Sequence, residues 1–65
     1  MEENLEQALI EFVEDEVPQK ISNAKVTRIH DHMFVVDFEA EDFEYWMEVH
    51  FDQGSFYRVD TNFLN

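Results

Sequence analysis

The chain has no cysteine, one glycine, one proline and only four basic residues, set against sixteen acidic ones. Each shortage excludes a class of chemistry. Without Cys there is no disulfide framework, no thiolate zinc site and no cysteine nucleophile. A single Gly excludes a glycine-rich phosphate loop. With so few bases the formal net charge is −12, so the chain lacks the positive footprint that nucleic acid and anionic lipid require. No apolar run approaches the ~20 residues needed to cross a bilayer, and the N-terminus is acidic rather than the basic start of a signal region. The expectation is a cytoplasmic chain with no membrane partner. At 65 residues it makes a single domain, 1–65, able to bury only about 60% of its unfolded surface.

Strong acidity often marks disorder. Here the apolar fraction is 45% and the aromatic fraction 15%, with seven Phe, two Tyr and one Trp, which is enough to build a core. The apolar residues are also periodic. Leu5, Ala8, Leu9, Phe12 and Val13 recur at helical spacing, with Gln7, Glu11 and Glu14 opposite, which predicts a helix over about 4–16. Asn4 is the expected N-cap, with Gln7 in the capping-box position. Pro18 ends the helix by pushing Val17 out of the α region. Glu14, Asp15 and Glu16 oppose the helix dipole, so local helix stability does not account for them.

From Ala24 the period becomes two, predicting strands at about 24–30, 33–40, 43–51 and 55–60. A three-residue loop, Asp52-Gln53-Gly54, sets Phe51 opposite Ser55 and Val49 opposite Tyr57. Two-residue loops at Glu41-Asp42 and Asp31-His32 set Ala40 opposite Phe43, Phe34 opposite Val49, and Ile29 opposite Phe34. The resulting inner face is Ile29, Phe34, Val36, Phe38, Phe43, Tyr45, Met47, Val49, Tyr57 and Val59, with Ile21 plugging one end. A one-residue slip of the first strand would turn Arg28 inward, which favours the stated register. The predicted fold is α+β: an N-terminal helix packed on a four-stranded antiparallel β-meander (αββββ), in two layers.

The same register assigns the outer face. Val26, Arg28, His30, Met33, Val35, Asp37, Glu39, Glu44, Trp46, Glu48, His50, Phe56 and Arg58 point away from the helix. Glu39 falls directly opposite Glu44, a like-charge pair that folding alone would avoid. Met33, Val35, Trp46 and Phe56 form an apolar group on this face. The C-terminal Phe63-Leu64 segment covers that group, a second copy buries it in a homodimer, or another protein docks on it with Trp46 as anchor.

No motif for catalysis or metal binding stands out. His30 and His50 lie roughly 10 Å apart in the expected sheet, too far for one zinc ion. His32 falls in a turn. The many acids offer no cleft in which one carboxyl is desolvated for acid–base work, and no EF-hand spacing is present. The expectations are no enzyme activity, no cofactor and no metal.

Charge placement is more informative. Residues 1–17 hold seven acids and no base, whereas Lys20, Lys25 and Arg28 cluster in 20–28. Carboxylates two apart on a strand are ~7 Å from each other. Adjacent rows of them approach the charge density of a nucleic-acid strand. This predicts an inhibitor that mimics nucleic-acid charge and fills the basic site of a DNA- or RNA-handling protein. The candidate partner-binding residues are Glu11, Glu14, Asp15, Glu16, Asp37, Glu39, Glu41, Asp42, Glu44 and Trp46. In size, acidity and α+β build the chain is similar to phage-encoded inhibitors of restriction, DNA-repair and CRISPR enzymes, which implies a phage or mobile-element origin. No residue motif carries that likeness. The alternative is an accessory or structural protein, homodimeric through Met33, Val35, Trp46 and Phe56, and acidic for solubility or salt adaptation.

Overall fold

A computed structural model describes residues 3–64. Helix α1 spans Glu3–Glu16, followed by β1 (Ser22–His30), β2 (Met33–Ala40), β3 (Phe43–Asp52) and β4 (Ser55–Thr61). The strands form one antiparallel sheet in the order β1-β2-β3-β4. The helix lies against one face of that sheet, so the predicted αββββ, two-layer α+β arrangement is the fold.

The helix forms where the apolar spacing predicts it. Leu9 and Val13 are fully buried, and Leu5, Phe12 and Ile10 pack against the core they begin. Glu11 and Glu14 stay exposed, as does Gln7, which donates from Nε2 to Glu11 Oε2 at 3.3 Å. The helix begins at Glu3, so Asn4 lies inside it rather than capping it. At the other end Val17 N donates to Val13 O at 3.0 Å and the Val17 side chain is buried. Pro18 then turns the chain, and Ile21 closes the core as expected.

On β2 and β3 the predicted register holds along its whole length, from Met33 opposite His50 to Ala40 opposite Phe43. Phe34, Val36, Phe38, Ala40, Met47 and Val49 form the sheet's contribution to the core. Phe43, at the end of the inner row beside the turn, remains 65% exposed.

Both edge strands depart from the expected register, β1 beyond the His30–Met33 pair that closes the Asp31-His32 turn as expected, and β4 from its turn onward. Gln53 and Gly54 alone make the β3–β4 turn, with φ of 51° and 79°, and Asp52 pairs with Ser55. Two successive residues at positive φ are the type I′ geometry, whose twist suits a two-residue hairpin. The shorter loop turns Phe56 toward the helix, opposite Phe51, and turns Tyr57 outward, opposite His50. Phe56 is rewarded by ring contacts at 5.1 Å with Phe51 and 5.7 Å with Phe12. Arg58 also falls on the helix side, with Nε 3.7 Å from Glu16 Oε1. The register changes again between the pairs Glu48–Asp60 and Val49–Arg58, leaving Val59 in the irregularity. Tyr57 and Val59 are therefore about half exposed rather than core residues.

On β1, Val26 pairs with Val36 and Arg28 with Phe34, so Val26 faces the core and Ile29 is 49% exposed. The slip that turns Arg28 toward the helix side is tolerated because β1 is an edge strand. The guanidinium reaches past Phe34, 5.7 Å from the ring centroid, and the residue stays exposed. The C-terminal segment does not cover the outer face. Phe63 is buried on the helix side against Tyr45 and Phe38, at 4.9 and 6.3 Å between ring centroids, and Leu64 is exposed. Asn62 Oδ1 accepts from Trp46 N at 2.8 Å, and Thr61 Oγ1 donates to Trp46 O at 2.6 Å. These two bonds fasten the C-terminal segment to the middle of β3.

Candidate functional site

Because the helix covers only one side, the other face of the sheet is open. Strand pairing arranges it in rows. His30, Met33, His50 and Tyr57 form one row; Thr27, Val35, Glu48 and Asp60 the next. Lys25, Asp37 and Trp46 form the third, and Ser22, Glu39 and Glu44 the last. The face thus grades from a mixed apolar end to an acidic one.

The acidic end has a defined shape. Asn23, Asp37, Phe38, Glu39, Glu44, Tyr45 and Trp46 line a shallow recess of ≈ 220 Å³. Glu39 and Glu44 stand in direct register across β2 and β3, as predicted. Asn23 eases that placement. It adopts a φ of 52° at an irregularity in β1, and its Nδ2 donates to Glu39 Oε1 at 3.0 Å. Asn is one of the few residues that tolerates this left-handed backbone. A neutral amide, not a base, therefore supports the carboxylate.

The adjoining turn is Glu41-Asp42, with φ of 53° and 70°. This is again a two-residue type I′ loop, a geometry that favours Asn-Gly. Two exposed acids occupy it instead. Among the described residues the ion pairs are Arg58–Glu16 and His50–Glu48, the latter 2.9 Å between Nε2 and Oε2. None of Asp37, Glu39, Glu41, Asp42 or Glu44 belongs to either.

The structure brings together six of the ten predicted partner-binding residues: Asp37, Glu39, Glu41, Asp42, Glu44 and Trp46, on or beside the open face. It does not bring the helical four to them. Glu11, Glu14 and Asp15 are exposed in the helical layer on the far side, and Glu16 is half-buried beside Arg58. Phe56 leaves the proposed apolar group for the core. Met33, Val35 and Trp46 remain on the face, joined by Tyr57. Asp60 is an acid of this face absent from the predicted outer row, and it stands opposite Glu48. The Gln53-Gly54 turn alone would set Asp60 opposite Met47; the second shift, between Glu48 and Val49, returns it to the open face.

Among the described residues no three His or acidic side chains converge to hold a metal ion. No helix there is long and apolar enough to cross a membrane. Comparison of the chain with protein-family models, with curated proteins and with solved structures found no match.

Proposed function

We propose that the chain is a non-enzymatic binding protein whose acidic open sheet face occupies a basic protein surface built for nucleic acid, and so inhibits a DNA- or RNA-handling protein. One observation carries the reading. Five carboxylates, Asp37, Glu39, Glu41, Asp42 and Glu44, are gathered at one end of an uncovered sheet, in no described ion pair, with Lys25 opposite Asp37 as the one base in register with them. Folding gains nothing from setting Glu39 against Glu44. A cationic partner gains long-range attraction, which speeds association and makes it salt-sensitive. Trp46, in the row next to the Glu39–Glu44 pair, supplies an amphipathic anchor of the kind that dominates binding energy.

The same rows weigh against burying this face in a homodimer. Its apolar residues alternate with Asp37, Glu48 and Asp60, so a second copy would bring acids against acids. On this reading the chain acts in the cytoplasm, of a host cell if a phage encodes it.

The test is competition on a partner captured by the tagged chain. Duplex DNA added to the captured complex is expected to displace the chain. The double variant Glu39→Gln/Glu44→Gln is expected to bind at least tenfold more weakly while folding normally, since it removes a repulsion. A partner that holds DNA and the chain together overturns the proposal.

A further inference from the structure

The acid-free part of the chain lies elsewhere, on the edge of the sheet. Residues 17–30 contain Lys20, Lys25 and Arg28 and no Asp or Glu, while all sixteen acids and only Arg58 among the bases lie outside this stretch. Most of the stretch is β1, which pairs with β2 on one side and leaves its other side unpaired. Between the register shifts at either end, Lys25–Arg28 is a regular run. Lys25 and Thr27 share the open face with Asp37 and Val35, whereas Val26 and Arg28 lie on the helix side with Val36 and Phe34. Lys20, Lys25 and Arg28 are exposed, and neither described ion pair involves them.

An unpaired edge is a template for another strand, through its free backbone N–H and C=O groups. Charge decides which strand. A second copy of β1 laid antiparallel on this run would add bases on both faces, beside Lys25 on the open face and Arg28 on the helix side, and no acid to offset them. The other edge, β4, carries Asp60 and is flanked by its own C-terminal segment, which forms a recess with Arg58, Val59 and Thr61. We propose that the β1 edge, over Lys25–Arg28, accepts an extended acidic segment of another protein by strand addition. The guest places acids on the open face beside Lys25 and apolar side chains on the helix side beside Val26, which is half-buried against the core. This site uses the opposite charge from the acidic end of the sheet, which it adjoins where Lys25 stands opposite Asp37.

The probe is a capped heptapeptide of alternating glutamate and valine, added to the full chain and followed by amide NMR shifts and hydrogen exchange. Three outcomes are expected. Amides of residues 24–28 shift and exchange more slowly. The lysine–valine counterpart, and a glutamate–valine peptide N-methylated along one backbone edge, leave them unchanged. Lys25→Glu weakens binding about tenfold with unchanged circular dichroism, Arg28→Glu, on the side of the guest's apolar residues, weakens it by a smaller factor, and added salt reproduces the loss in the unaltered chain. The proposal is overturned by no shift at millimolar peptide, by equal binding of the N-methylated or lysine peptide, or by unchanged affinity of both variants.

Discussion

Phe56 stands where the helix, β3 and β4 meet, with Phe12 and Phe51 around it. Aromatic pairs at such spacing contribute about 0.5–1.5 kcal/mol each beyond their area. Tyr57, its neighbour, is 48% exposed on the other face. The two positions therefore respond oppositely to truncation. Phe56→Ala is expected to cost about 2–4 kcal/mol and Tyr57→Ala under about 1 kcal/mol, read as the shift in the urea midpoint. A three-residue β3–β4 loop would reverse that order, so the pair of variants tests the register as well as the contact. Arg28 shows why residue type alone misplaced an element. A long side chain on an edge strand reaches water whichever face its Cβ is on, so a charged residue does not forbid the register that turns it inward.

At the scale of elements, the turns hold the least favourable local choices. Glu41 and Asp42 both adopt positive φ, where an L-residue with a Cβ is disfavoured by about 1–2 kcal/mol. The type I′ hairpin that they form prefers Asn-Gly. Asp42→Gly is expected to stabilise the chain by about 0.5–1 kcal/mol, seen as a melting temperature higher by roughly 2–8 °C for a domain this small. A lower melting temperature would mean that the Asp42 carboxylate contributes more than its backbone strain costs. The hairpins also show what was legible. The β2–β3 pairing was read residue for residue because both strands alternate cleanly and the core lies between them. The edge strands were each read one residue out. On β1 the irregularity at Arg28/His30 changes the phase of every residue beyond it, whereas on β4 the two-residue turn already sets a different register and Glu48/Val49 shifts it again.

At the scale of the whole molecule, −12 over 65 residues is a destabilising field. Described ion pairs offset little of it, since Arg58–Glu16 is partly exposed at 3.7 Å and such pairs contribute only about 0–1 kcal/mol. Salt is therefore expected to stabilise the free chain: the melting temperature rises as NaCl goes from about 10 to 150 mM, over which the screening length falls from about 30 to 8 Å. The same salt slows association with a basic partner. A chain whose melting temperature ignores salt would show that the carboxylates are already compensated. The candidate site was legible in part for a related reason. Asp37 through Glu44 are close in sequence, so one hairpin register located them together. The helical acids were grouped with them on charge alone, and the layers then separated the two sets.

The amino-acid pattern by itself determined the αββββ order, the helix face, the central β2–β3 pairing and the opposition of Glu39 to Glu44. Those follow from local periodicity and from a turn whose length admits one register. Tertiary structure decided which way the edge strands face, where Phe63 goes, and which acids share a surface. Aromatic packing around Phe56 accompanies an inward β4 register that the Gln-Gly turn signalled only weakly. Burial of Phe63 against Tyr45 and Phe38 keeps the C-terminal segment off the open face. The outward charge is thereby divided into an acidic end on one face and a basic strip on one edge, a division that depends on contacts between residues far apart in the chain.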